Sequence, residues 1–135
     1  MLECLIIGDS IGVGVSQVRT ECMSVVKSGI NSNTWKNINI TKLQPAKVLI
    51  ISLGANDLKG HDTEGNVREI RKAAKADKVY WILPNENLKP KAVSDVTKVA
   101  KEFGDVLIER PKTDMSADNV HPTGKGYRKL AEKTK

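Results

Sequence analysis

Ser10, Asn56, Asp118 and His121 are the side chains whose types and settings could do chemistry together. Ser10 closes the triplet Gly8-Asp9-Ser10, directly after the apolar run Leu5-Ile6-Ile7. A serine hydroxyl is a poor nucleophile until a base within hydrogen-bond reach takes its proton. His121, in Asp118-Asn119-Val120-His121-Pro122, is the candidate base. Asp118 could accept its other ring N–H, fixing the tautomer and stabilising the imidazolium. Asn56, in Gly54-Ala55-Asn56-Asp57 after a second apolar run, offers an amide to a developing oxyanion. One such donor is worth about 3 kcal/mol of transition-state stabilisation. Backbone N–H groups at Ser10 and around Gly29–Ser32 could complete the hole. These are the components of a serine hydrolase working through an acyl-enzyme.

Such distant groups need a fold that gathers them, and the hydrophobic pattern predicts one. Apolar strands alternate with helical periodicity along the chain. Strands are expected at Leu2–Ile7, Cys22–Val26, Lys47–Leu53, Val79–Leu83 and Val106–Ile108. A glycine-rich loop is expected from Gly8 to Gly14, leading to a short helix towards Arg19. Asn33–Leu43 reads as a helix capped by Ser32 or Asn33 and ended before Pro45. Val67, Ile70 and Ala74 mark a further helix, and Val93, Val96, Ala100 and Phe103 another, closed by Gly104. The last begins at Thr123 or Gly124, with Tyr127, Leu130 and Ala131 facing inward. Strands this apolar imply a parallel sheet covered on both sides. In such sheets ligands bind at the carboxyl ends of strands. Ser10, the Gly29–Asn33 segment and Asn56 all follow strands, and His121 follows the last one after a loop.

At 135 residues the chain is expected to be one domain spanning 1–135, able to form a core unaided. No run approaches a membrane span, so no membrane insertion is expected. The N-terminus enters the first strand without a signal peptide, which predicts a protein cytoplasmic as synthesised, with delivery to the cell envelope only by another route. Cys4 and Cys22 are expected as reduced thiols in or beside the core. No Cys/His cluster has ligand spacing, so no metal is expected. A net charge of +6, spread over every helix, favours anionic surfaces without forming a nucleic-acid motif, and no nucleic-acid partner is expected. His61 is expected in an exposed loop, and Trp35 and Trp81 as packing residues.

The blocks Gly8-Asp9-Ser10, Gly54-Ala55-Asn56-Asp57 and Asp118–Pro122, followed by Gly126-Tyr127, resemble in order and spacing those of the SGNH hydrolase superfamily, the GDSL esterases and lipases. The resemblance spans essentially the whole chain. It implies a three-layer α/β/α flavodoxin-like sandwich with a central five-stranded parallel sheet, ester hydrolysis, and no cofactor. It implies Ser10 as nucleophile, His121 as base, Asp118 as its orienting acid, and the Ser10 N–H and Asn56 amide as oxyanion donors. Asp9 and Asp57 are expected to support their loops through side-chain hydrogen bonds. The family's second block, which corresponds to Gly29-Ile30-Asn31-Ser32-Asn33-Thr34 here, departs from its pattern. Aligning on Asn33-Thr34 puts Ser32 where the family often has a glycine donor, with Gly29 as the alternative.

The chain is short for that family and has no long insertion from which to build a lid or deep acyl tunnel. Small acyl esters, acetyl above all, are the expected substrates, carried on an acylated glycan such as an envelope polysaccharide or a peptidoglycan-like polymer. The alternatives are a lysophospholipase or thioesterase taking medium acyl chains, and a non-catalytic glycan-binding module of the same fold. The oligomeric state is left open.

Overall fold

Residues 4–9, 49–54 and 79–84 are buried without interruption, as expected of strands covered on both faces. In the computed structural model, which describes residues 1–135, they form the centre of a five-stranded parallel sheet. The strands are β1 (Leu2–Gly8), β2 (Met23–Val26), β3 (Ala46–Ser52), β4 (Ala76–Ile82) and β5 (Val106–Ile108). The helices between and after them are α1 (Ser10–Val18), α2 (Ser32–Asn39), α3 (Thr63–Ala73), α4 (Pro90–Phe103) and α5 (Gly124–Lys133). The spatial order is β2-β1-β3-β4-β5, and every pairing is parallel. The chain steps outward from β1 to the edge at β2, then returns to the other side of β1 as β3. That reversal leaves a crevice between the carboxyl ends of β1 and β3, where open α/β sheets bind ligands.

Alternate strand residues point to opposite faces and build two cores. Leu5, Ile7, Leu49 and Ile51 pack with Trp35 and Trp81 under α2, α3 and α4. Ile6, Ile50, Tyr80 and Ile82 pack with Ile11, Val15 and Leu130 of α1 and α5. The result is the three-layer α/β/α sandwich expected from the sequence. Gly104 ends α4 in the left-handed conformation, φ 71°, and Thr123 caps α5.

Three local expectations are corrected. The segment from Gly8 to Gly14 is not a loop: α1 begins at Ser10, because the Asp9 side chain caps it by accepting the Ile11 N–H. Gly12 and Gly14 lie inside this helix for reasons of packing. A Cβ on Gly14 would stand 2.1 Å from Tyr127 Cε1, so the missing side chain lets α1 and α5 touch. The cap of α2 is Asn31, whose Oδ1 accepts the Thr34 N–H at 2.8 Å, and the helix gives way to a 3-10 turn at Ile40–Lys42. Cys4 and Cys22 are not free thiols but a disulfide, with Cα atoms 4.8 Å apart. Leu5 lies opposite Met23 in the β1–β2 register, so the cysteines one residue earlier also face each other.

Candidate active site

The position of Ser10 is set by the way β1 ends. Gly8 has φ 131°, which disfavours any side chain, and a Cβ there would lie 1.8 Å from the Ser52 carbonyl oxygen. Glycine therefore lets the chain turn off β1 while lying against β3. Asp9 N–H donates to the Ser52 carbonyl at 2.9 Å. Its fully buried carboxylate accepts from Ser52 Oγ at 2.9 Å and Ile11 N–H at 3.1 Å through one oxygen. The other oxygen has no hydrogen-bond partner, and burial pushes this carboxyl above its ordinary range. Ser10 is the first residue of α1, and its N–H belongs to the unsatisfied first turn, at the positive end of the helix.

Ser10 Oγ lies 2.8 Å from His121 Nε2, and His121 Nδ1 lies 2.8 Å from Asp118 Oδ2. An ionised carboxylate can only accept, so Nδ1 carries the proton and Nε2 is left to accept from the serine hydroxyl. Asp118 Oδ1 also accepts the N–H groups of Val120 at 2.9 Å and His121 at 3.0 Å. The His121 bond first, then these two backbone bonds, hold the Asp118 carboxyl well below the usual range. It stays ionised although exposed. The loop itself is closed by a Ser116 N–H to His121 carbonyl bond at 2.8 Å and a bridge between Met115 and Pro122.

Asn56 follows β3 and donates one amide N–H to the Ile30 carbonyl at 3.1 Å. This orients the group and leaves its second N–H available, while joining the segments after β2 and β3. Ser32 does not offer the free donor that alignment assigned to it. Its N–H donates to Asp57 Oδ1 at 2.8 Å and its hydroxyl to Asp57 Oδ2 at 2.5 Å, with the residue fully buried. As the first residue of α2 it spends its amide on an internal carboxylate. Gly29, at φ 81° with open space around it, makes no such bond. Asp57 also accepts from Thr63 Oγ1 at 2.6 Å, so its carboxylate ties together α2, the loop after β3 and α3.

His61 closes its own loop, with Nδ1 accepting the Leu58 N–H at 2.9 Å, and is half-buried rather than exposed. Trp35 and Trp81 are fully buried. Three contributors had no sequence signal. Lys89 Nζ donates to the Asp57 carbonyl at 3.1 Å, Asn85 Nδ2 to the Asn119 carbonyl at 2.7 Å, and Arg110 to the carbonyls of Leu83 and Val120. Only position could have pointed to them, since Asn85 and Arg110 come just after β4 and β5. Beside the Asp118–His121 loop a 960 Å³ cleft is lined by Asn85, Asn87, Thr97, Glu109, Arg110 and Asn119 among others.

No family model and no curated protein matches the chain in sequence. Solved structures do match it in fold. A GDSL-like lipase from Bacteroides thetaiotaomicron shares 18% identity over 96% of this chain and 83% of its own, with a TM-score of 0.69. The C-terminal catalytic domain of peptidoglycan O-acetyltransferase A from Streptococcus pneumoniae, solved with a methylsulfonyl adduct, shares 14% identity over 97% and 90%, with a TM-score of 0.63. A carbohydrate acetylesterase family member from Sinorhizobium meliloti shares 11% identity over 96% and 94%, with a TM-score of 0.58.

Proposed function

We propose, from the SGNH-hydrolase fold that this chain shares with those proteins, that it is a serine ester hydrolase. The observation that carries the reading is the unbroken relay from Ser10 Oγ through His121 to Asp118, with both contacts at 2.8 Å. Nothing in fold alone demands those contacts, whereas acyl transfer does.

In this mechanism Ser10 Oγ attacks an ester carbonyl as its proton passes to His121 Nε2. The oxyanion of the tetrahedral intermediate takes the Ser10 N–H, the second Asn56 N–H and an N–H of the second block, for which Gly29 is the better candidate. His121 then gives its proton to the leaving alcohol, and the acyl group stays on Ser10. Water, deprotonated by the same nitrogen, releases the acid and restores the serine.

As substrate we favour small acyl groups, acetyl first, on a glycan. Support comes from the cleft beside the Asp118–His121 loop, with polar side chains in its lining, and from two of the similar folds, one named for carbohydrate acetylesterase and one for peptidoglycan O-acetyl transfer. The Cys4–Cys22 bond adds support for work outside a reducing cytoplasm. A medium-chain reading has one observation in its favour. Leu58 and Leu88, on the loops after β3 and β4, are 66% and 52% exposed, and could form apolar lips for a longer acyl chain.

The test is hydrolysis of p-nitrophenyl acetate, butyrate and octanoate by wild type and Ser10→Ala. Loss of the nucleophile should remove several orders of magnitude in rate. Rates that fall from acetate to octanoate support the small-acyl substrate, and a maximum at octanoate transfers the case to the medium-chain reading. Equal rates for the two proteins would end the serine-hydrolase proposal.

A further inference from the structure

Asn119 and Val120 are the two residues between acid and base, and all their backbone polar groups are engaged. The N–H of Asn119 donates to the Ser116 carbonyl at 3.0 Å, and that of Val120 to Asp118 Oδ1 at 2.9 Å. Both bonds are internal to the loop. The two carbonyls are instead held from outside it. Asn85 Nδ2 donates to the Asn119 carbonyl at 2.7 Å, and Arg110 Nη1 donates to the Val120 carbonyl. Arg110 Nε also donates to the Leu83 carbonyl at 3.1 Å, so both struts are rooted at the carboxyl end of β4.

The loop needs such support. Asn119 has φ 56°, a left-handed conformation that non-glycine residues adopt at some cost. Asp118 and His121 are both substantially exposed, with 51% and 41% of their side-chain surface open to solvent, so water competes for every bond in the turn. A flip of either peptide would remove an N–H from Asp118 and swing the imidazole away from Ser10. Arg110 is partly buried, and its guanidinium bonds the carbonyls of both Leu83 and Val120, which ties it to β4 and to the loop at once.

We propose that Asn85 and Arg110 are positioning residues for the acid–base pair, fixing the two peptide carbonyls between Asp118 and His121 and thereby the distance from His121 to Ser10. The inference rests on the serine-hydrolase reading above, and it assigns a catalytic consequence to residues outside the conserved-looking blocks. Neither side chain needs to touch substrate for this.

The experiment compares wild type with Asn85→Ala, Arg110→Met and Arg110→Lys as full-length proteins. It reads kcat and KM on p-nitrophenyl acetate, the thermal midpoint, and the downfield proton resonance of His121 Nδ1–H in unliganded protein. A misplacement of about 1 Å costs about 100-fold in rate. Arg110→Met should therefore lower kcat by about 10- to 100-fold with KM held within about twofold, Asn85→Ala should do the same more weakly, and Arg110→Lys should recover part of the loss. The downfield resonance should broaden or vanish in Asn85→Ala and Arg110→Met. Should Arg110→Met fail to fold, Asn85→Ala and Arg110→Lys decide the matter. A kcat within about twofold of wild type with the resonance intact would overturn the proposal. The resonance needs no turnover, so it judges positioning even if the wild type proves not to hydrolyse esters.

Discussion

Asn56 and Ser32 both follow strands at the carboxyl end of the sheet, yet their hydrogen bonds give them different duties. Asn56 keeps one N–H free, whereas Ser32 spends both its amide and its hydroxyl on Asp57. Asn56→Ala should therefore lower kcat by about 100-fold or more, with a loss of stability of about 1–3 kcal/mol because the Ile30 carbonyl loses its donor. Ser32→Ala should leave kcat within a fewfold and destabilise the fold by about 1–3 kcal/mol, because a buried carboxylate oxygen loses a donor. Steady-state kinetics beside urea unfolding would separate the two. The sequence could identify Ser32 as a member of the second block but not as the partner of a carboxylate 25 positions away. Asp118 makes a pH prediction. Its native carboxyl is held below the ordinary range, so the stability it adds is complete above that range, about pH 4, and is lost only as pH falls well below it. Asp9 acts with the opposite sign: burial raises it, so the stability it adds is full at low pH and fades as pH rises past the ordinary carboxylate range. Asp118 should therefore stay ionised as pH falls from 7 to 5, so activity lost in that interval is not lost through this carboxylate. An acid limb unchanged in slope, measured as kcat/KM across that interval with intact fluorescence, would agree; two-proton steepness would not.

At the scale of elements, the strands were the most legible part of the chain. Runs such as Leu49-Ile50-Ile51 are apolar throughout, and only a sheet covered on both faces buries every residue of such a run. Helices α4 and α5 were legible too, because Gly104 and Thr123 mark boundaries by local chemistry. Helix α1 was not. Its glycines signal a loop by propensity, but the closeness of Tyr127, 113 residues further on, is invisible to any local reading. The same contact yields a prediction. Gly14→Ala should gain about 1 kcal/mol in helix propensity and lose about 1–3 kcal/mol in overpacking against a ring only 2.1 Å away. The net effect is a destabilisation of up to about 2 kcal/mol, accompanied by a lower kcat because α1 begins with Ser10. A thermal midpoint at or above that of wild type would show that Tyr127 swings aside at no cost.

For the whole molecule, the main departure from expectation is the disulfide. The spacing of Cys4 and Cys22 put them near adjacent strands, but only the parallel register sets them face to face. A loop of 18 residues closed in this way restricts the unfolded chain by about 3 kcal/mol. Adding a reductant should thus lower the urea midpoint measurably, while the Cys4→Ser/Cys22→Ser protein should unfold alike with and without reductant. The ion pairs contribute far less, since most, such as Lys47–Glu3, are solvent-exposed. The two cores of this sandwich also divide what an optical probe can see. Both tryptophans belong to the layer beneath α2, α3 and α4, whereas the helices that begin with Ser10 and follow His121 rest on the opposite layer. Tryptophan emission therefore monitors one side of the sheet, while the other side holds only Tyr80 and Tyr127, so a refolding trace complete by tryptophan fluorescence can precede the return of the Ser10–His121 contact.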